Sequence, residues 1–361
     1  METASGPEAA LRAALAADPE ARTHELNRLL GKFGPEHLDA LTGLLGHPNE
    51  EARSAALHTL QGFGPAALPA LRPVLALFGD ERHGYQATRA VERIGPAAVP
   101  ELLAVRAEGP APLRRHALRA LALLGAAEQL TARDRAALRR LVDVKLLDEE
   151  LPGEGWEYCW LAVPGDEYRA AFEVLGLHDP VPATLAMGRS NPASDEVRLV
   201  DDDGTERTVR RVFVTPELAG WRLFFGNHLM LTCFDDDLVA RVAEACGRAH
   251  FHCRDDYEDS HHWVIAERGR GVVRSYAAEG DPQWTGDPLP WERPQTEDPY
   301  WDPDDEETPG ASMETDSAEA AARSSIDPDR TGADTPRSGH GWLLVTEPGF
   351  GHGRFRNALE I

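Results

Sequence analysis

Phe33-Gly34-Pro35, Phe63-Gly64-Pro65, Ile94-Gly95-Pro96 and Leu124-Gly125 punctuate the chain with steps of 30, 31 and 30 residues between successive glycines. A fixed period of that length is the mark of stacked helical hairpins, each too small to bury its apolar face alone. Glycine at the end of a helix can take the left-handed conformation that stops it, and the proline that follows cannot continue the hydrogen-bond ladder. Each Gly-Pro therefore reads as the seam between one hairpin and the next.

Within one period the pattern is legible residue by residue. Leu38, Leu41, Leu44 and Leu45 fall on one helical face, and Gly46-His47-Pro48-Asn49 breaks that helix. Asn49 is suited to cap the following helix, with Glu50 and Glu51 at the positive end of its dipole. Ala52, Ala56, Leu60 and Phe63 then repeat along one side, small enough for neighbouring helices to approach closely. Gly6-Pro7 opens a more degenerate first copy. Pro69, Pro100 and Asp39 share one register and suit the first turn of a new helix, and Pro73 is expected to kink its helix.

Ile94-Gly95-Pro96-Ala97-Ala98-Val99-Pro100-Glu101-Leu102-Leu103 resembles the short HEAT repeats of bacterial proteins, the class also seen in phycobilisome lyases. The resemblance spans residues 6–125 and implies an armadillo-type α-solenoid that binds proteins through its surface. Nothing else in the chain suggests a bilin site, which disfavours a lyase. Some HEAT-like glycosylases bind nucleic acid, but residues 1–150 carry 20 acidic and 18 basic side chains, so the basic face needed for phosphates is not expected.

Thr131 is expected to cap a last helix from Ala132 to about Leu147 that closes the solenoid. Arg114, Arg115 and Arg119, with Arg133, Arg135, Arg139 and Arg140, make this end basic, either a solvated face or a dock for an acidic partner, the chain's own tail included. The candidate partner-binding residues are these first three arginines together with His47, Asn49, Glu51, Arg53, Arg82 and Arg89 on the turns and exposed helix faces. For each, plain solvent exposure is the competing reading.

Beyond Leu151-Pro152-Gly153 the period changes to alternation. Strands are expected over 156–163, 196–200, 208–214, 221–225, 249–253, 262–266 and 271–276, with a hairpin at Asp201-Asp202-Asp203-Gly204 and a helix capped by Asp235-Asp236-Asp237. The three adjacent aspartates lack the acid at the twelfth position that an EF-hand requires, so calcium is disfavoured. His178-Asp179-Pro180-Val181-Pro182 reads as a break. The expected fold is multidomain: a HEAT-like α-solenoid over 1–150, an α+β domain with a mainly antiparallel sheet over 151–290, an acidic disordered linker over 291–339, and a C-terminal sheet-edge strand and tail over 340–361. The α+β part is loosely similar to actinobacterial proteins that have not been characterised, and no function follows from that likeness.

Cys246, His250, His252, Cys253, His261 and His262 are the chemically suggestive cluster, since thiolate and imidazole are zinc ligands and alternation puts His250 and His252 on one face. The metal candidates are His250, His252, Cys253 and His261; a polar strand face is the competing reading, and Cys253 points the other way. A cysteine nucleophile could draw on Cys253 or Cys233 with His261 and Asp255, although no family signature surrounds either cysteine. No GxGxxG, Walker, HExxH or GxSxG element occurs, and no cofactor is expected. The four cysteines, Cys159, Cys233, Cys246 and Cys253, show no CxxC spacing and read as free thiols.

Of the formal charge of −24, residues 279–334 contribute 17 acids against three arginines, a local −14 that repels nucleic acid and anionic lipid. Their composition predicts disorder from 294 to 339, with Trp284 and Trp291 packing back on the sheet and Trp301 left as a docking element. Lys32 and Lys145 are the only two lysines, which suggests a high-GC bacterial coding bias. No targeting signal or membrane span is read at the N-terminus or elsewhere. The resulting expectation is a cytoplasmic, non-enzymatic scaffold that binds a protein or peptide. Two rivals stand beside it, an enzyme or metal-binding protein with its site around His250, His252 and Cys253, and nucleic-acid binding by the solenoid.

Overall fold

A computed structural model describes residues 7–17, 23–151, 156, 158–189, 195–201, 203–255, 260–277, 283–292 and 316–356. Its contacts divide the chain into two compact units, one running to Thr131 and joined by the tail from Gly353, the other running from Ala132 to His352.

The first unit is helical: α1 (Pro7–Ala17), α2 (Thr23–Leu30), α3 (Leu38–Leu44), α4 (Glu50–Phe63), α5 (Leu71–Ala76), α6 (Gly84–Ile94), α7 (Val99–Glu108) and α8 (Ala111–Leu123). Helices α2, α4 and α6 pack in succession, and α7 packs on α8. The small residues make this possible, for Ala52, Ala55, Ala56, Ala87, Ala90, Ala117 and Ala120 are all buried. Gly64, Gly95 and Gly125 have φ of 54°, 68° and 65°, the left-handed region in which a Cβ would be strained. The Gly-Pro seams open into short 3₁₀ turns, Gly64–Ala70 and Gly95–Ala98. Asn49 caps α4 by accepting from the Ala52 N–H at 3.1 Å. Pro73 does not kink a helix: α5 begins at Leu71, so Pro73 lies in its first turn, where no intrahelical N–H is needed.

Helix α9 (Ala132–Lys145) groups with the second unit, so the helix expected to close the first unit belongs by contact to the other, and the boundary lies at Thr131 instead of near 150.

The second unit is built on an antiparallel sheet. Its elements are β1 (Cys159–Pro164), α10 (Ala170–Val174), β2 (His178–Ala183), α11 (Leu185–Arg189), β3 (Glu196–Val200), β4 (Glu206–Val214), β5 (Glu217–Leu218), β6 (Trp221–Phe225), α12 (Asn227–Thr232) and α13 (Asp236–Cys246). They continue with β7 (Arg248–Asp255), β8 (Ser260–Glu267), β9 (Gly271–Ala277), β10 (Gln283–Thr285), α14 (Ser317–Ser324), β11 (Arg337–Ser338) and β12 (Gly341–Val345). The strand order is β10-β9-β8-β7-β1-β6-β4-β12-β2, with β3 on β4 and the short β5 and β11 off the path.

Alternation gives the sheet two different faces. Leu161, Val163, Phe224, Phe251 and Val264 face α10, α12 and α13, whose buried Ala171, Leu229, Val239 and Val242 complete one core. Trp160, Ala162, Phe213, Leu223, Phe225 and Leu343 face the other side, where Leu185 of α11 and Ala321 of α14 join them. Trp263, Ile265 and Tyr276 extend that second face, with Trp284 and Trp291 packed on it as expected. The hairpin at Asp201 forms, with Gly204 at φ 84°.

Three expectations are corrected. β12 is an internal strand between β4 and β2, not an edge; the outer position falls to β2, whose Pro180 and Pro182 are tolerated because among the described residues it pairs on one side only. The disordered linker over 291–339 is ordered in its described part, 316–339: Asp316 caps α14, and the segment is tied down by an Arg254–Asp329 ion pair and by β11 on β5. Trp301 lies outside the described residues. Finally, Cys159 and Cys253 are not free thiols. They are directly opposite in the β1–β7 register, Cα 4.0 Å apart, and form a disulfide. No helix among the described residues is long and apolar enough to cross a membrane.

Candidate functional site

In the helical unit, most of the polar residues expected as partner contacts are engaged in contacts within their own hairpin or with the preceding one. Arg82 pairs with both Glu50 and Glu51 of the preceding hairpin. Beside it the fully buried His83 contacts the Asp80 carboxylate through Nδ1 at 2.8 Å and the Glu50 carbonyl through Nε2 at 3.1 Å. Arg53 donates to the His47 carbonyl at 2.8 Å, while the Asn49 N–H donates to the His47 ring at 3.1 Å. Arg89 pairs with Glu92 within its own helix at 2.8 Å, and Arg114 donates to the Gly109 carbonyl at 2.7 Å. Arg115 lies beside His116, whose pKa is held below the usual histidine value first by burial and then by Arg115 and Arg119. The structure brings one of these residues to a concavity: His47 lines a groove of ≈ 550 Å³ with Glu8, Leu11, Leu15, Ala40 and Leu44.

In the sheet unit, the four residues proposed as metal ligands separate. His250 and His252 share one face, ring centroids 6.3 Å apart, whereas Cys253 faces the opposite core in its disulfide. His261 is occupied at the start of α14, where its Nδ1 accepts from the Ser317 N–H at 3.3 Å. His262 lies 3.6 Å from Asp236. Among the described residues no group of three or more His, Cys, Asp and Glu side chains is arranged to hold a metal ion. The cysteine-nucleophile reading also meets an obstacle: burial pushes the Cys233 thiol up to about 12, far from a thiolate, and Cys253 is oxidised. The side chain of Asp255 lies outside the described residues.

The histidine pair is chemically unusual. His250 is held down to about 3, chiefly by burial and then by the Arg248 charge; His252 is held well below the ordinary range by burial and by the nearby His250 and His262. Burial thus favours the neutral form of both rings. Both His250 nitrogens, His252 Nδ1, Trp156 Nε1 and Trp160 Nε1 are buried without a hydrogen-bond partner among the described residues, a concentration of unpaired polar atoms on one sheet face. Trp160 stacks on His252 at 5.4 Å and Trp221 covers His250 at 4.9 Å. The remaining His252 nitrogen, Nε2, lies 3.3 Å from the Ser325 hydroxyl.

Ser325 follows α14 and lines a cleft of ≈ 630 Å³ with Ala219, Ile326, Asp327, Arg330, Thr331 and Thr335. Sequence reasoning missed this cleft because it assigned 294–339 to a disordered tail. A signal was present: Asp316 before Ser317-Ala318-Glu319-Ala320-Ala321-Ala322 is an N-cap followed by strong helix formers.

No family model matches the chain, and neither the curated proteins nor the solved structures include a significant match.

Proposed function

We propose that the helical unit is a HEAT-like α-solenoid and that it binds a protein or peptide partner through its surface. The observation that carries this reading is the coincidence of the 30-residue punctuation with the packing: left-handed Gly64, Gly95 and Gly125 end successive helices, and α2, α4 and α6 lie one against the next. Repeats joined this way expose a continuous ridge and groove, which serve recognition by area. The even charge of residues 1–150 favours a polypeptide over a polyphosphate.

The groove lined by Leu11, Leu15, Ala40, Leu44 and His47 offers apolar surface with a polar rim, the composition of a recognition patch. Arg82, Arg53 and Asn49 support it as ties between and within hairpins, and His47 is the residue of the set placed to touch a ligand. A photo-crosslinking side chain at Ala40 of the full chain, used in the native host, is expected to give one dominant protein adduct that Leu15→Glu abolishes. Adducts no more abundant than those from the same probe at Arg198 on β3 would overturn the reading.

A further inference from the structure

The Ser325 hydroxyl donates to the Ala321 carbonyl at 3.4 Å, and its oxygen also lies 3.3 Å from His252 Nε2. A neutral imidazole with its proton on Nδ1 presents Nε2 as an acceptor, and a serine hydroxyl turned from the Ala321 carbonyl to that nitrogen is in the arrangement by which a weak nucleophile is activated. The two groups differ in exposure. His252 is fully buried beneath α14, whereas Ser325 is half-buried and lines the ≈ 630 Å³ cleft, so of the two residues it is the serine that a molecule in the cleft meets. Stacking on Trp160 fixes the plane of the imidazole.

We propose that Ser325 is a nucleophile with His252 as its general base, and that the cleft accepts small carboxylic esters. The substrate class follows from the lining. Ala219, Ala322, Ile326 and Pro336 form an apolar wall suited to an acyl chain, and Thr331 and Thr335 add neutral polar groups. Arg330 is already paired with Glu319 and Asp327, and Asp327 and Asp334 add negative charge, so the cleft does not suit a phosphate or carboxylate anion.

In the reaction, Ser325 Oγ forms a bond to the ester carbonyl carbon while its proton passes to His252 Nε2. The carbon–oxygen bond to the alcohol breaks, and the alcohol departs with that proton, leaving acyl-Ser325. Water then adds to the acyl carbon, gives a proton to Nε2, and the bond to Ser325 Oγ breaks. The acid departs and Oγ recovers its proton; the sum is ester plus water to acid plus alcohol. No carboxylate pairs with His252 Nδ1 among the described residues, and burial with His250 and His262 nearby already holds this ring well below the ordinary histidine range, so the transient imidazolium is poorly stabilised and turnover is slow. Acylation of the serine is therefore the sensitive readout.

The test is treatment of the full folded chain with a fluorophosphonate, followed by mass spectrometry of the 317–330 region. Ser324, the adjacent residue, bonds the Ala320 carbonyl at 2.7 Å and does not line the cleft, so it serves as the internal control. Ser325 is expected to be modified about 100-fold faster than Ser324, the scale of general-base assistance, and His252→Gln should remove that advantage. Ser325→Ala should abolish labelling and the acyl burst with p-nitrophenyl butyrate without changing the thermal transition, and Ser324→Ala should leave both intact. Equal labelling of the two serines in the wild-type chain, or none at Ser325, overturns the proposal, and this comparison needs no variant to fold.

Discussion

The two units are tied together internally over very different sequence distances. In the helical unit the polar ties between one hairpin and the next run about one period along the chain: Arg82 to Glu50 and Glu51, His83 to the Glu50 carbonyl, and Arg72 to Glu101 span 32, 31, 33 and 29 residues. In the sheet unit the disulfide spans 94 residues, Arg207–Glu347 140, Arg254–Asp329 75 and Ser325–His252 73. The first unit repeats one local solution; the second closes on contacts that each join distant parts. Loss of one closure should therefore cost the sheet unit more than loss of one tie costs the helical unit.

This contrast can be tested separately in each unit, because all eight tryptophans lie beyond residue 150 and fluorescence reports the sheet unit alone. The largest effect is expected at Glu292, whose tie to Arg274 spans only 18 residues and draws its weight from burial, so it separates burial from span as the source of the difference. Its carboxylate is fully buried against Arg274, which also donates to the Gly286 carbonyl at 2.7 Å and lies over the Trp284 ring. Glu292→Ala leaves that guanidinium buried and unpaired and should lower the stability of the sheet unit by about 3–5 kcal/mol in urea unfolding followed by tryptophan fluorescence. A loss below about 1 kcal/mol would mean that the pair is not desolvated.

Next comes the disulfide. Cys159→Ser with Cys253→Ser releases a constraint on a long loop and should cost about 2–4 kcal/mol in the same fluorescence transition. Because α9 to α14 belong to the sheet unit, the helical unit is read from the part of the 222 nm transition that fluorescence does not follow; if that part moves equally, the two units are not independent and the comparison fails. The smallest change belongs to the repeats. Asn49→Ala removes the cap on α4 and should cost about 1 kcal/mol, visible in the helical signal and not in tryptophan fluorescence.

The same difference explains which features could be read from sequence. Gly64, Gly95, Asn49 and the alanines of the helical unit each act on neighbours within one or two turns, so their pattern carries the structure directly. The strands of the second unit were legible for the same reason, since alternation is local. What was not legible was pairing. His178–Ala183 looked like a break because its prolines forbid a central strand, yet an outer position accepts them. Glu292 stood among tail acids with nothing to distinguish it, until the fold placed Arg274 against it. Composition made residues 316–339 look unable to bury surface, but α14 contributes small alanines to a core whose aromatic residues come from elsewhere.

The candidate site shows the same division. His250 and His252 were marked by alternation on one face, and that much holds. Cys253 could not join them, since the residue after a facing position points away, and the register of β1 gave it Cys159 instead. Ser325 carried no mark, because a serine gains chemical meaning only from what lies beside it.

The sequence by itself determined the hairpin period, the helix ends, the strand alternation and the uneven charge, all of which arise from interactions between residues close along the chain. Only the tertiary structure decided the strand order, the partner of Cys159, the burial of Glu292 and the meeting of Ser325 with His252. Those depend on separate chain segments being brought to contact distance, 94 residues apart for the disulfide and 73 for Ser325 and His252, and no local pattern encodes which of many compatible partners the folded chain selects.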